Sequence, residues 1–196
     1  MLLLARNFST EIYGQIVTLI TLSIVLISVF DLGLPIYIQR EIAVNRFSAS
    51  EIYSRVFLLG SLLMILYFAL GSAAVFVIYP DIPYSLFIII SLMMYSSFLV
   101  TVNNKALSGI NEYKKQFLSF LLPRILILAV ILPGLYLYSM SAGNLLLVMF
   151  AGIAINLVIS VIYLRKNEIR LSFKYFSLKG IQKILAISLP LGIAVV

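Results

Sequence analysis

Long uncharged segments dominate this sequence, with short clusters of charged residues between them. Segments of 19, 25, 23 and 40 uncharged residues follow Glu11, Arg55, Asp81 and Arg124, respectively. About 20 apolar residues in a helix cross the ~30 Å hydrocarbon core of a bilayer, so the longest segment holds two crossings, separated at the small polar stretch 139–144. The pattern therefore predicts five complete transmembrane helices, at about 12–38, 54–79, 83–105, 115–138 and 144–164.

Composition excludes the other fold classes. The chain has 196 residues, of which 63% are hydrophobic and 11% charged, whereas about 25% of a soluble domain is charged. Too few polar residues remain to cover a surface in contact with water. A transmembrane β-barrel needs strands in which polar and apolar residues alternate, but stretches such as 86–90 are apolar at every position. We therefore predict an all-α integral membrane bundle.

The residues that usually carry catalysis are scarce. Cysteine, histidine and tryptophan are absent from the sequence, and only seven residues are Asp or Glu. The sequence therefore lacks disulfides, Cys- or His-ligated metals and Ser-His or Cys-His nucleophiles. It also lacks a G-x-x-x-x-G-K-[ST] phosphate loop and the basic, aromatic-rich patterns of nucleic-acid binding. We expect no enzyme activity, no cofactor or metal, and no nucleic-acid partner.

Basic residues alternate between the loops. Loops 39–55, 79–84, 104–116, 138–144 and 165–183 contain 3, 0, 3, 0 and 6 Lys or Arg residues. Since cytoplasmic loops are enriched in basic residues, we predict that the first, third and fifth loops are cytoplasmic and that residues 1–11 lie outside. This pattern favours a multi-pass protein of a prokaryotic plasma membrane.

The ends of the chain predict a piece of a larger protein. A sixth helix begins near residue 180 and has too few residues before Val196 to cross a bilayer, and the chain opens within a short apolar stretch. We divide it into a bundle at 1–164, a basic cytoplasmic loop at 165–183 and the start of a second bundle at 184–196. The basic loop either contacts anionic lipid headgroups or is basic only because cytoplasmic loops are enriched in Lys and Arg.

Arg124 is the most informative charged residue. It follows Lys115 by nine positions, about 13 Å along a helix. A charge at that depth usually faces a bundle interior or a water-filled cavity, where a guanidinium suits a phosphate. The alternative is a long side chain that reaches back to the interface. Pro123 and Pro133, in the same helix, are candidate hinges.

Polar residues near the helix ends suggest further sites. Asp31, Gly33 and Pro35 predict a broken helix near the inner face, where Asp31 either binds a coupling cation or caps the break. Asn103 and Asn104 either face a polar cytoplasmic opening or lie at the interface. For Asn156 we expect a hydrogen bond between helices.

Four stretches, in order along the chain, resemble patterns of prokaryotic polysaccharide transporters. They are Leu4-Ala5-Arg6-Asn7-Phe8-Ser9-Thr10-Glu11-Ile12-Tyr13-Gly14, similar to "L-A-R-x-L-G-x-E-x-Y-G"; Asp31-Leu32-Gly33-Leu34 with Gln39-Arg40-Glu41-Ile42-Ala43, similar to "D-x-G-L … R-x-x-A"; Ala106-Leu107-Ser108-Gly109-Ile110-Asn111-Glu112-Tyr113, similar to the joint between helices four and five; and Leu185-Ala186-Ile187-Ser188-Leu189-Pro190-Leu191, similar to the opening of helix seven. The family is the Wzx-like O-antigen and polysaccharide flippases of the multidrug/oligosaccharidyl-lipid/polysaccharide exporter superfamily.

The resemblance implies one half of a two-bundle transporter, with the tail of helix one, helices two to six and the start of helix seven. Such flippases turn a polyprenyl-diphosphate-linked oligosaccharide across the membrane by alternating access, driven by an ion gradient such as H⁺ or Na⁺. On this basis Arg124 is a candidate cavity cation, Arg6 and Arg40 are candidates at the outer and inner mouths, and Pro190 is a third candidate hinge.

Three other interpretations remain open. A drug or metabolite antiporter of the same superfamily would favour an aromatic, acidic cavity, whereas the acids here lie at helix ends. A membrane-embedded polyprenyl-phosphate transferase would need clustered acids, but those of the cytoplasmic loops are scattered. The third is a truncated fragment without a function of its own.

Overall fold

The computed structural model describes residues 8–137, 141–175 and 177–193. Within these ranges all regular structure is helical, with short 3₁₀ turns at Arg46–Ser48 and Phe173–Tyr175. The α-helices are α1 (Thr10–Asp31), α2 (Leu34–Val44), α3 (Ala49–Ile78), α4 (Tyr84–Gly109), α5 (Tyr113–Leu137), α6 (Ala142–Lys166) and α7 (Leu178–Ile193).

Five of the helical segments are long and apolar enough to span a bilayer. They are Thr10–Asp31, Arg46–Ile78, Tyr84–Gly109, Tyr113–Gly134 and Ala142–Lys166. The predicted all-α membrane bundle is confirmed. Many apolar side chains point outward, including Ile65, Val77 and Val158. In a multi-pass membrane protein, such side chains face lipid.

The first predicted span, 12–38, is interrupted as the Gly-Pro pattern indicates. Helix α1 ends at Asp31, and both Leu32 (φ 49°) and Gly33 (φ 70°) adopt the left-handed conformation. Glycine adopts this conformation without the steric penalty of a Cβ atom. Pro35 lies in the first turn of α2, where its missing N–H has no partner to lose. The chain therefore changes direction here and starts a new helix.

The three basic loops meet at one end of the bundle. The Lys105 ammonium donates to Gln39 Oε1 at 3.1 Å, and that of Lys115 donates to Asn167 Oδ1 at 3.1 Å. These bonds join segments 39–55, 104–116 and 165–175, which we call the basic end. The structure thus brings together the loops that the basic-residue counts place on one side of the membrane.

Two groups of buried apolar side chains divide the core. One lies toward the basic end, where Ile38 and Ile42 of α2 pack with side chains of α3 and α4. The other lies toward the opposite end and includes Leu19, Phe87 and Leu146. At Gly109, a Cβ atom would lie 2.9 Å from the Gln39 carbonyl oxygen, so α4 and α2 approach closely there because residue 109 has no side chain.

The segment that follows α6 lies along the start of α3. The Ser54 hydroxyl accepts from the Ser172 amide at 3.0 Å, and the Ser50 hydroxyl donates to the Glu168 carbonyl at 3.0 Å. Arg55 Nε donates to the Tyr175 carbonyl at 3.1 Å. Helix α7 then begins at Leu178, inside the segment 165–183 that we assign to the loop, and packs against α2 and α3.

Candidate binding cleft

A cleft of about 430 Å³ opens between α4, α5 and α6. Its wall is largely apolar and carries five polar side chains: Ser97, Thr101, Asn104, Arg124 and Asn156. Because its lining residues belong to three of the spanning segments, these polar groups lie within the apolar part of the chain. A few polar groups on an apolar wall are typical of sites that bind an amphipathic ligand.

Arg124 lies over an aromatic ring at the edge of this cleft. Its guanidinium carbon lies 3.5 Å from the centroid of the Phe120 ring, one helical turn earlier on α5. A cation in this position is attracted by the negative face of the ring. The stack holds the flat guanidinium group without using its N–H donors, which remain available to a ligand.

Carboxylates do not neutralise this charge in the described part of the chain. The ion pairs there are Arg55 with Glu51, at 2.6 Å, and Lys115 with Glu112, at 2.7 Å. Both lie at the basic end. The Arg124 side chain is exposed to the cleft, so an anion can reach it. The cleft therefore has the charge and the geometry to bind a phosphate or carboxylate group.

The two prolines of α5 do not break the helix, which is continuous from Tyr113 to Leu137. Pro123 is buried and lines the cleft, whereas Pro133 is exposed. Since proline has no N–H, Pro123 leaves the Ser119 carbonyl without its bond within the helix. Pro190 lies inside α7 and is exposed. A hinge role at the three prolines stays a prediction.

The two amides of the cleft differ in their bonding. Asn104 Oδ1 accepts from the Ser119 hydroxyl at 2.9 Å, which links α4 to α5. Asn156 Oδ1 is buried and has no hydrogen-bond partner in the described ranges, so the bond between helices that we expect for this oxygen is not formed. A buried acceptor without a donor is costly. Because this oxygen is buried, the exposed side chains of Ser97 and Thr101 are the ones that present hydroxyl groups to a ligand in the cleft.

Asn103, next to Asn104 in the chain, lies on another side of α4. It is fully buried, accepts from the Tyr53 hydroxyl at 3.0 Å and donates to the Ser160 hydroxyl at 2.9 Å. These bonds join α3, α4 and α6. Of the two alternatives that the sequence leaves for Asn103, a polar opening does not apply, because the side chain is fully buried. The bonds to Tyr53 and Ser160 leave no signal in the sequence, because these partners lie 50 and 57 residues away.

Asp31 lies at the end of α1 beside a separate small cavity, whose wall includes Leu63, Tyr67 and Tyr95. Its Oδ1 atom is buried without a hydrogen-bond partner among residues 8–137, 141–175 and 177–193. This oxygen therefore does not cap the helix break. A buried carboxyl group of this kind can take up a proton or a cation.

The structure does not gather the predicted cations into one site. Arg124 lines the cleft, whereas Arg40 is exposed on α2 at the basic end and is not part of the cleft wall. Arg6 lies outside the described residues. Asp31, Gly33 and Pro35 form the helix break and are likewise separate from the cleft.

Comparisons with known proteins do not extend these observations. The chain matches none of the protein-family models, none of the curated proteins and none of the solved structures with which it was compared.

Proposed function

We propose that this chain is the first half of a flippase that moves a polyprenyl-diphosphate-linked oligosaccharide across the membrane for polysaccharide biosynthesis. The observation that carries the proposal is Arg124. Its guanidinium group lies over Phe120 at the edge of an apolar cleft within the spanning part of the chain, without a carboxylate partner in the described ranges. A charge in that environment is costly unless an anion binds it.

The ligand chemistry follows from the lining of the cleft. A guanidinium forms two parallel hydrogen bonds with phosphate oxygens. The hydroxyl groups of Ser97 and Thr101, which are exposed on the cleft wall, suit the hydroxyl groups of sugars. The apolar wall, which includes Ile127, Leu128 and Ile153, suits a hydrocarbon chain. An anionic headgroup, hydroxyls and a long lipid tail are the three parts of a lipid-linked oligosaccharide.

The family resemblance supplies the rest of the mechanism. The cleft would be half of a vestibule that opens alternately to each side of a prokaryotic plasma membrane, with the basic end in the cytoplasm. Asp31, a buried carboxyl group remote from the cleft, is the candidate for H⁺ or Na⁺ coupling. A drug antiporter is disfavoured because the residues that line the cleft include a cation and no acid.

The test uses strains whose surface polysaccharide depends on this gene. We expect Arg124→Ala to lower export about ten- to a hundredfold, since a hydrogen bond to a charged group contributes about 1.5–3 kcal/mol. Arg124→Lys keeps the charge but loses the planar guanidinium group. Its export should therefore lie between that of the unsubstituted protein and that of Arg124→Ala. Lys114→Ala removes an exposed basic residue outside the cleft and serves as the matched control.

A second readout separates transport from synthesis. If transport fails, lipid-linked oligosaccharide accumulates on the cytoplasmic side of the membrane, whereas a defective transferase leaves less of it. Normal export by both Arg124 variants would refute the role of this residue, and a loss of the lipid-linked oligosaccharide itself would point to a transferase.

A further inference from the structure

A second cavity, of about 570 Å³, lies at the basic end and is separate from the cleft. It lies between the 3₁₀ turn Arg46–Ser48, the start of α3 and the residues that follow α6. Its wall includes Arg46, Phe47, Lys166 and Glu168.

The bounds of the spanning segments give the position of this cavity in the membrane. Lys166 is part of the cavity wall and comes two residues after the end of the uncharged segment 125–164. Because an apolar span ends where the hydrocarbon core meets the headgroups, the cavity lies next to that boundary. A ligand of this cavity would therefore come from the headgroup layer.

The charge of the wall favours an anion. Arg46 and Lys166 are both exposed, and neither lies within 4.0 Å of a carboxylate of the described residues. Glu168 is the acid of the wall, so two basic side chains and one acidic side chain leave one positive charge. Lys and Arg side chains near a membrane surface attract anionic lipid headgroups.

An apolar surface lies directly beside these charges. Phe47 has a relative exposure of 106% and Val44 one of 80%, so neither side chain packs against the bundle. An exposed aromatic ring at the interface inserts among the upper parts of acyl chains. Arg46 and Phe47 are neighbours in the chain, so a charged group and an apolar anchor lie together at one depth.

We propose that this cavity binds the phosphate headgroup of an anionic membrane phospholipid, between Arg46 and Lys166, with Phe47 inserted among the acyl chains. The proposal concerns a bulk lipid of the bilayer rather than a transported substrate. It does not depend on the proposed function, because Arg124 has no part in this cavity.

The test uses the absence of tryptophan from the chain. Phe47→Trp places one fluorescent reporter at the cavity, where the exposed ring has room for the larger side chain. The full chain is reconstituted in phosphatidylcholine bilayers and titrated with brominated phosphatidylglycerol or brominated phosphatidylcholine, which quench the reporter on contact. The ratio of the two association constants measures the preference for anionic lipid.

We expect a preference of at least about fivefold for phosphatidylglycerol, the equivalent of about 1 kcal/mol. Arg46→Gln with Lys166→Gln should reduce the ratio to about one, whereas Arg46→Lys with Lys166→Arg should retain it. Lys114→Gln, which removes an exposed charge of the basic end outside the cavity, should leave it unchanged.

Three outcomes would overturn the proposal. One is a ratio that survives the double Gln substitution, and another is an equal loss in the Lys114→Gln variant, since general surface charge would explain both. The third is abolition of the preference by excess inorganic phosphate, which would indicate a site for the free anion. Arg124 is not part of the cavity wall, so its substitution should leave the lipid preference unchanged, and failure of the flippase hypothesis is distinguishable from failure of the lipid site.

Discussion

Replacement of Asn103 by leucine should uncouple three helices at the centre of the bundle. Asn103 and Ser160 are fully buried, and Tyr53 retains 3% of its exposure. Leucine has the same number and branching of side-chain heavy atoms as asparagine, so the change removes the hydrogen bonds without opening a large cavity. The Tyr53 hydroxyl then becomes a buried donor without its partner, while Ser160 still donates to the Leu157 carbonyl.

The expected magnitude follows from these contacts. A buried polar group without a partner costs about 1–3 kcal/mol, so Asn103→Leu should lower the free energy of unfolding by about that amount. Tyr53→Phe takes the donor from Asn103 Oδ1, while Asn103 keeps its bond to Ser160, so this change should cost about 0.6–1.7 kcal/mol. The double variant should cost little more than Asn103→Leu alone, because the hydroxyl that the first change leaves without a partner is gone. The coupling energy is then also about 0.6–1.7 kcal/mol.

Reversible unfolding in bicelles, followed by circular dichroism, measures these free energies. The matched control is Thr101→Val, two residues away on α4. The Thr101 hydroxyl donates at 3.0 Å to the Ser97 carbonyl of the same helix. Because this bond joins no other helix, its loss should change stability little. Additive effects of Asn103→Leu and Tyr53→Phe, or an equal loss in the control, would refute the idea that this network holds the helices together.

Two further predictions concern other contacts. Gly109→Ala should destabilise the bundle by about 1–3 kcal/mol, because the new methyl group would lie 2.9 Å from the Gln39 carbonyl oxygen; thermal unfolding checks this, and an unchanged midpoint would contradict the close approach of α2 and α4. Ser54→Ala should release the segment near Arg170 and speed its cleavage by trypsin, because the Ser54 hydroxyl donates to the Arg170 carbonyl at 3.2 Å. The control is Ser61→Ala, because the Ser61 hydroxyl donates to the Phe57 carbonyl of its own helix. Equal rates of cleavage in both variants would contradict the prediction.

Features that depend on residues close in the chain could be predicted from the sequence. The lengths of the uncharged segments predict five spans, and Gly33 with Pro35 predicts the break after Asp31. The basic-residue counts group the three loops that the structure joins through Lys105 and Lys115. Each of these patterns reflects a local preference or the cost of charge in lipid.

Features that depend on contacts between distant segments could not be predicted. Helix α4 continues to Gly109, beyond the expected end at 105, because Asn103 and Asn104 are satisfied by partners on other helices. A prediction from hydropathy places the end of a span at such amides, because it does not include their hydrogen-bond partners on other helices. Likewise, the docking of segment 167–175 onto α3 depends on Ser50 and Ser54, whose hydroxyls look in the sequence like ordinary polar positions of a helix.

The two left-handed residues after α1 have a mechanical consequence. A single unbroken helix from Thr10 to Val44 would transmit any tilt of one end to the other at full amplitude. The joint at Leu32 and Gly33 confines relative rotation to a few backbone dihedrals. Helix α2 packs against α3, α4 and α7, whereas α1 packs against α3 and α4, so the joint lets each of the two helices follow its own axis and keep its own contacts with the bundle.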